Sequence, residues 1–236
     1  MSRSMVRCCV LPGVGLALVL SAGAGAQAPA PQASPYQRIA PIDQYLMPDR
    51  AAEIALARSA APEPIGRDAE ILVLGRHGYQ SAIKGTNGFV CLVERSWMAP
   101  YDDPMFLNPT QRLPLCLNPP AARTHLPLTI KATALALAGL SKAQMFDSIK
   151  VAYATKALPM PEAGSMCYML SKQQYFGSKN GNADPHLMFW FPKSVAMQWG
   201  AGEDGPVYVH QDSPDPITTF VISVGKWSDG TAAPAE

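Results

Sequence analysis

Two short segments of the sequence place sulfur, imidazole and aromatic side chains at alternate positions. Residues 165–171 read SMCYMLS, and residues 186–191 read HLMFWF. Successive side chains of a β-strand point to opposite faces, so every second residue shares a face. The side chains that share a face are Cys167, Met169 and Ser171 in the first segment and His186, Met188 and Trp190 in the second. If the two strands pair, these faces coincide.

These side chains suit two kinds of chemistry. A thiol, thioethers and an imidazole are soft ligands of the type that binds Cu(I). The candidate copper ligands are Cys167, Met169, His186 and Met188. Cys167 with His186 is alternatively a candidate nucleophile with its general base. Met and Cys are also ordinary core residues, and the spacing matches no known metal-ligand signature, so the sequence assigns no metal and no cofactor.

Glu94 is the third catalytic candidate. It ends an apolar segment and is followed by Arg95. A charge beside an apolar strand needs water or a partner, so we expect both residues at the rim of the sheet, on opposite faces. A buried Glu94 would have a raised pKa and act as an acid. The sequence contains no GxSxG, HExxH, CxxC or glycine-rich phosphate loop, which are the motifs of the common hydrolase, zinc and nucleotide classes.

Composition and the N-terminus predict an exported globular protein. The 236 residues are 48% hydrophobic and 16% charged with a net charge of +1, which gives no field for binding nucleic acid. Basic residues precede an apolar run at 10–20 and a small-residue stretch at 21–26, as in a secretory signal peptide cleaved before Gln27. No later segment is long enough to span a membrane. We therefore expect a periplasmic or secreted protein without an integral membrane segment.

Removal of residues 1–26 leaves three cysteines in an oxidising compartment. Three pairings are open, and each leaves one thiol over. We expect a disulfide between Cys91 and Cys116, because it would attach a long proline-rich segment to the sheet, with Cys167 free. Three reduced, buried cysteines are the alternative.

The order of elements predicts an α+β fold. Extended patterns from 69 to 97 suggest three strands in a meander, residues 98–118 suggest no regular structure, and two helices follow before the strands resume at 165. We expect a single mainly antiparallel sheet of about six or seven strands with helices packed on one face. The predicted organisation is a signal peptide 1–26, a flexible leader 27–48, one domain 49–231 and a frayed tail 232–236.

Four segments carry a recognisable pattern. They are KGTNGFVCLVERSW from Lys84, PEAGSMCYMLSKQQYFG from Pro161, PHLMFWFP from Pro185 and VGKWSDGT from Val224. This pattern resembles a family of uncharacterised exported bacterial proteins with no assigned function. The resemblance implies export and a single domain, and it implies no activity, cofactor or catalytic residue.

The first functional hypothesis is a non-catalytic exported domain that binds a small ligand or a protein partner. The side chains expected to line its site are Tyr168, Met169, Met188 and Trp190. One alternative is an extracytoplasmic hydrolase that uses Cys167 or Glu94 with His186. The other is a copper-handling protein.

Overall fold

The chain forms one mixed, mainly antiparallel sheet with helices against it, which confirms the predicted α+β class. The computed structural model describes residues 36–101, 103–176, 184–196, 198, 208–210 and 216–233. All of these belong to one compact unit. The predicted signal peptide, residues 1–26, and the last residues of the predicted tail lie outside the described residues.

Eight strands make up the sheet within the described ranges. They are β1 (Glu70–Gly75), β2 (Gly78–Ile83), β3 (Val90–Glu94), β4 (Leu113–Leu117), β5 (Met166–Met169), β6 (His186–Pro192), β7 (Tyr208–His210) and β8 (Ile217–Ser223). Their order across the sheet is β2-β1-β3-β4-β5-β6-β8-β7. Each neighbouring pair is antiparallel except β1 and β3, which are parallel.

The first three strands do not form the predicted meander. β1 lies between β2 and β3, so the connection from β2 to β3 passes around the start of β1. Thr86 N–H donates to the carbonyl of Asp68 at 2.8 Å along this path. Gly85 makes the passage possible, because a Cβ at that position would lie 2.1 Å from the backbone nitrogen of Glu70.

β4 lies inside the segment that the sequence predicts to have no regular structure. A proline predicts irregular structure, yet Pro114 lies opposite Val93 in the β3–β4 ladder. Two residues along this ladder, the Cα atoms of Cys91 and Cys116 are 4.0 Å apart, which is typical of a pair without backbone hydrogen bonds between its two residues. Positions two apart have the same pair type, so the nitrogen of Pro114 points away from β3. β5 pairs only with Cys116 and Leu117 on that side. The missing N–H therefore breaks no ladder bond.

Six helices accompany the sheet within the described residues. They are α1 (Arg50–Arg58), α2 (Glu63–Gly66), α3 (Pro119–Thr124), α4 (Leu126–Leu137), α5 (Lys142–Ala154) and α6 (Lys193–Ala196). Asp49 caps α1 through the Ala51 N–H, and Ser141 with Gln144 forms the predicted capping box of α5. Within the part of the chain described here, none of these helices has both the length and the apolar surface required to cross a membrane.

The helices cover both faces of the sheet, which corrects the prediction of one covered face. Leu56 and Ala57 of α1 pack with Cys91, Val93 and Cys116. Residues of α3, α4 and α5 pack on the opposite face. The physical reason is that every residue of β3 and β4 is buried, so both faces of these central strands must be shielded from water.

Residues 36–48, the described part of the predicted flexible leader, pack against the domain. A short 3-10 helix at Ile42–Gln44 precedes Tyr45, which is fully buried. The Tyr45 hydroxyl donates to the carbonyl of Leu107 at 2.5 Å, and its ring lies 5.1 Å from that of Trp97. Apolar and aromatic residues spaced among the prolines hold this segment in place, which composition alone did not indicate.

Candidate functional site

A cavity of about 470 Å³ lies between one face of the sheet, helices α4 and α5, and the segment 97–111. Six aromatic side chains contribute to its walls: Trp97, Tyr101, Phe106, Phe146, Phe176 and Trp190. Methionines from the sheet and from α5 add to these walls. A volume of this size with mostly apolar walls is typical of a binding site for a small organic molecule.

The two sulfur-rich segments are the antiparallel neighbours β5 and β6, as the sequence predicted. Cys167 lies opposite Met188, and Met169 lies opposite His186. Directly opposed residues share a face, so the predicted coincidence of the two faces is confirmed. Met169, His186, Met188 and Trp190 all line the cavity.

Two predicted site residues do not line the cavity. Tyr168 points to the opposite face, where its ring lies 6.3 Å from that of Phe89, so strand alternation removes it from the predicted lining. Cys167 is fully buried behind the wall, and burial raises the pKa of its thiol. A nucleophilic cysteine and a copper ligand both require the thiolate, so this environment favours neither role.

The cysteine pairing agrees with the prediction. Cys91 and Cys116 form a disulfide between directly opposed residues of β3 and β4. Both are fully buried on the face of α1, and Cys167 is the free cysteine. The disulfide is therefore a structural link on the face opposite the cavity.

His186 lies at the start of β6, near the rim of the cavity. Its Nδ1 donates to the carbonyl of Asp184 at 2.8 Å, which assigns Nε2 as the acceptor nitrogen. Burial lowers the pKa of this imidazole, and the contact with Asp184 opposes the shift. The side chain is thus a neutral hydrogen-bonding group at neutral pH.

Glu94 is buried, not exposed at the rim as the sequence predicted. Its side chain is 5% exposed and lines the cavity. The Thr129 hydroxyl of α4 donates to Glu94 Oε1 at 2.5 Å. Burial raises the pKa of Glu94 to about 7, and the bond from Thr129 acts in the opposite direction. The prediction was wrong because α4 covers the end of β3.

His125 is a site residue that the sequence did not reveal. It joins α3 to α4, stacks on Trp190 with ring centroids 3.9 Å apart, and places Nε2 3.8 Å from Glu94 Oε1. Burial lowers the pKa of His125 to about 3, so the imidazole is neutral and the contact is not an ion pair. Its Nδ1 is buried without a hydrogen-bond partner among the described residues.

Gln111 is a second lining residue that the sequence did not reveal. The side chain is 1% exposed, and its Nε2 donates to the carbonyl of Phe176 at 2.7 Å. Its Oε1 is buried and has no hydrogen-bond partner among the described residues. Buried polar atoms are nearly always paired, so this orphaned acceptor is an unusual feature of a residue that lines the cavity.

Arg95 is also buried, on the face of α1, where the sequence predicted exposure. Its Nη2 donates to Glu53 Oε1 at 2.9 Å, and its Nε donates to the carbonyl of Tyr45 at 2.8 Å. Its Nη1 donates to the carbonyl of Val93. The Arg95 and Glu53 side chains are 0% and 3% exposed. This ion pair is therefore a closed structural unit that does not line the cavity.

Comparison with known proteins leaves the site to be interpreted from its geometry. No protein-family model, curated protein or solved structure matches the chain. The resemblance noted in the sequence therefore stays a prediction. Across the described ranges, no three His, Cys, Asp or Glu side chains are grouped so that they could hold a metal ion.

Proposed function

We propose that this protein is an exported, non-catalytic domain that binds an apolar small molecule in the cavity between the sheet and helices α4 and α5. The observation that carries the proposal is a cavity of about 470 Å³ whose aromatic and methionine walls include a few buried polar groups. Apolar walls provide affinity, and a small number of polar groups orient the ligand. Glu94, Gln111 and His125 are the polar groups in question.

Export is part of the proposal and rests on two observations. The N-terminal pattern is that of a signal peptide, and the Cys91–Cys116 disulfide is typical of oxidising compartments. The test is mass spectrometry of the protein recovered from the periplasm of a bacterial host that expresses the full chain. We expect a mature chain beginning at Gln27. Full-length protein confined to the cytoplasm would contradict export.

A ligand screen tests the binding proposal. The purified protein is mixed with apolar small molecules, and the unfolding midpoint is recorded, because a ligand that binds only the folded state raises it by mass action. Intrinsic fluorescence provides a second signal, since Trp97 and Trp190 line the cavity. We expect compounds that raise the midpoint also to change this fluorescence.

Two neighbouring residues of β6 provide a matched pair of variants. Met188 lines the cavity, and Leu187 lies on the opposite face and pairs with Tyr168. Both side chains are half-buried. Met188→Trp fills the cavity and is expected to weaken binding by at least about tenfold, whereas Leu187→Trp retains it. Equal binding by both variants would place the ligand elsewhere and refute the proposal.

Copper handling is the second candidate function, because the β5–β6 register brings Met169, His186 and Met188 to one face, where all three line the cavity. Its test is metal analysis of protein purified with Cu(I). Stoichiometric copper that is lost in Met188→Leu would support this function over small-molecule binding. Hydrolysis by Glu94 with His186, which line the same cavity, is tested by adding ester substrates to the ligand screen.

A further inference from the structure

The ionisable groups of the cavity wall are nearly all acidic or neutral. Among the described lining residues they are Glu94, Asp103, Asp184, Tyr101, His125 and His186, with neither lysine nor arginine. Both imidazoles have a pKa lowered by burial and are neutral at pH 7. The lining side chains themselves therefore provide no positive charge to attract an anionic ligand, and the nearest described ammonium group, that of Lys142, lies over the rings of Tyr101 and Phe106.

Among the residues that the structure describes, Glu94 has no counter-ion. Within the described residues, His125 is the only basic side chain at ion-pair distance from its carboxylate, and that imidazole is neutral. The neighbouring Arg95 points to the other face and is bonded to Glu53. A buried carboxylate with a single hydroxyl donor is costly unless a positive group or further donors reach it.

The aromatic walls suit a ligand with a positive charge. Ring faces attract a cation within about 6 Å of the centroid, and tryptophan does so most strongly. His125 connects Trp190 to Glu94, since its ring stacks on Trp190 and its Nε2 lies 3.8 Å from Glu94 Oε1. Two other wall rings already contact an ammonium group, since Lys142 Nζ lies 4.4 Å from the Tyr101 centroid and 5.0 Å from that of Phe106.

From these observations we infer that the cavity binds a hydrophobic organic cation, an amine with an apolar body, whose ammonium group contacts Glu94 while the apolar body lies along Trp190 and the methionines. The inference rests on the proposed function and deepens it by naming the ligand class.

Three probes of matched size test the inference: 4-phenylbutylamine, 4-phenylbutanol and 4-phenylbutyrate. They share one apolar body and carry a positive, a neutral and a negative head group at pH 8. Dissociation constants are measured by isothermal titration calorimetry on the full purified protein. We expect the amine to bind at least about tenfold more tightly than the alcohol, and the carboxylate to bind most weakly.

Variants test whether Glu94 causes the tighter binding of the amine. Glu94→Gln is expected to remove most of the preference for the amine and to change the affinity for the alcohol by less than about threefold. Glu162→Gln is the control, because Glu162 lies outside the cavity at the surface, where its carboxylate accepts from Arg123. This variant is expected to retain the preference. An unchanged preference in Glu94→Gln would overturn the inference.

The outcomes separate this inference from the proposed function. If the alcohol or the carboxylate binds as tightly as the amine, and Met188→Trp abolishes that binding, the cavity is a ligand site but the inference is wrong. The same conclusion follows if the amine does not bind while another neutral compound of the screen does. If no compound shows binding that depends on Met188, both the inference and the proposed function fail.

Discussion

Glu94 and Arg95 are sequence neighbours at the end of β3, but they lie on opposite faces of the sheet in different surroundings. On the face of α1, Arg95 donates to the carboxylate of Glu53 and to two backbone carbonyls. On the face of α4, Glu94 accepts from Thr129 and lies beside a neutral imidazole. Both side chains are almost fully buried.

The difference separates a charge with complete partners from a charge that has no counter-ion among the described residues. The first face is filled, and the disulfide links its two central strands. The second face contains the cavity, and its buried carboxylate has a raised pKa because burial is not offset by a positive partner. Removing one partner of a complete buried ion pair is strongly destabilising, whereas a buried charge without a counter-ion is a position where a ligand can provide one.

The largest effect is expected on the filled face. Arg95→Met would leave the Glu53 carboxylate buried and unpaired, so we expect a loss of about 3 to 5 kcal/mol in the free energy of unfolding. Urea denaturation of the purified variant measures this loss. Arg67→Met is the control, because Arg67 pairs with Glu63 at the surface, and no measurable loss is expected. Equal losses in both variants would contradict the structural role of Arg95.

Removing the disulfide on the same face is expected to cause the second-largest loss of stability. Replacing Cys91 and Cys116 together by Ala removes a link across a sequence separation of 25 residues. In the chain-entropy model this lowers the free energy of unfolding by about 3.5 kcal/mol. Adding a reductant to the native protein should produce a similar loss, and adding it to the double variant should produce none. A double variant as stable as the native protein would show that the link does not stabilise the fold.

Local patterns in the sequence predicted much of the fold. Alternation in β5 and β6 indicated which side chains share a face, and the caps at Asp49 and Ser141 marked two helix starts. β4 escaped prediction because prolines dominate its surroundings. The order of the first three strands escaped it because a close backbone contact at Gly85, distant from any periodic signal, determines the connection.

Only part of the candidate site could be predicted in the same way. Met169, Met188 and Trp190 follow from alternation within strands. The sequence predicts Glu94 at the rim of the sheet, because no local sequence pattern shows that α4 covers the end of β3. His125 was missed for the same reason, because its contact with Glu94 depends on how α4 packs on the sheet. Contacts between distant segments carry no periodic signature in a single sequence.

The third prediction concerns pH and the open face. Burial raises the pKa of Glu94 from 4.5 to about 7, so the folded protein binds one more proton than the unfolded chain between these values. This group therefore lowers stability as the pH rises from about 4.5 to 7, by about 3 kcal/mol in total, and has no further effect above 7. Glu94→Gln removes this dependence.

Comparing native protein and variant isolates the Glu94 contribution. Among the described residues, the titratable groups that interact with Glu94 and have a shifted pKa are Tyr79, His125 and Cys167, and these shifts keep their charges constant between pH 4.5 and 7 in the folded protein. Unfolding of His125 contributes equally to both proteins and cancels. We expect the stability of Glu94→Gln relative to the native protein to increase by about 3 kcal/mol between pH 4 and pH 8. Parallel curves would show that folding leaves the pKa of Glu94 unchanged.

The smallest expected effect tests how Thr129 stabilises the ionised Glu94. Thr129→Val removes the hydroxyl that donates to Glu94 Oε1, so the pKa of Glu94 should rise further, and the variant should lose about 2 kcal/mol of stability at pH 8. The loss should shrink below pH 6, where Glu94 is protonated and the hydrogen bond contributes less. Thr133→Val is the matched control, because Thr133 donates to the Thr129 carbonyl and accepts from Trp97 Nε1 without touching a carboxylate. Its loss should be independent of pH. If the loss of stability in Thr129→Val is also independent of pH, this hydrogen bond does not distinguish the two protonation states of Glu94.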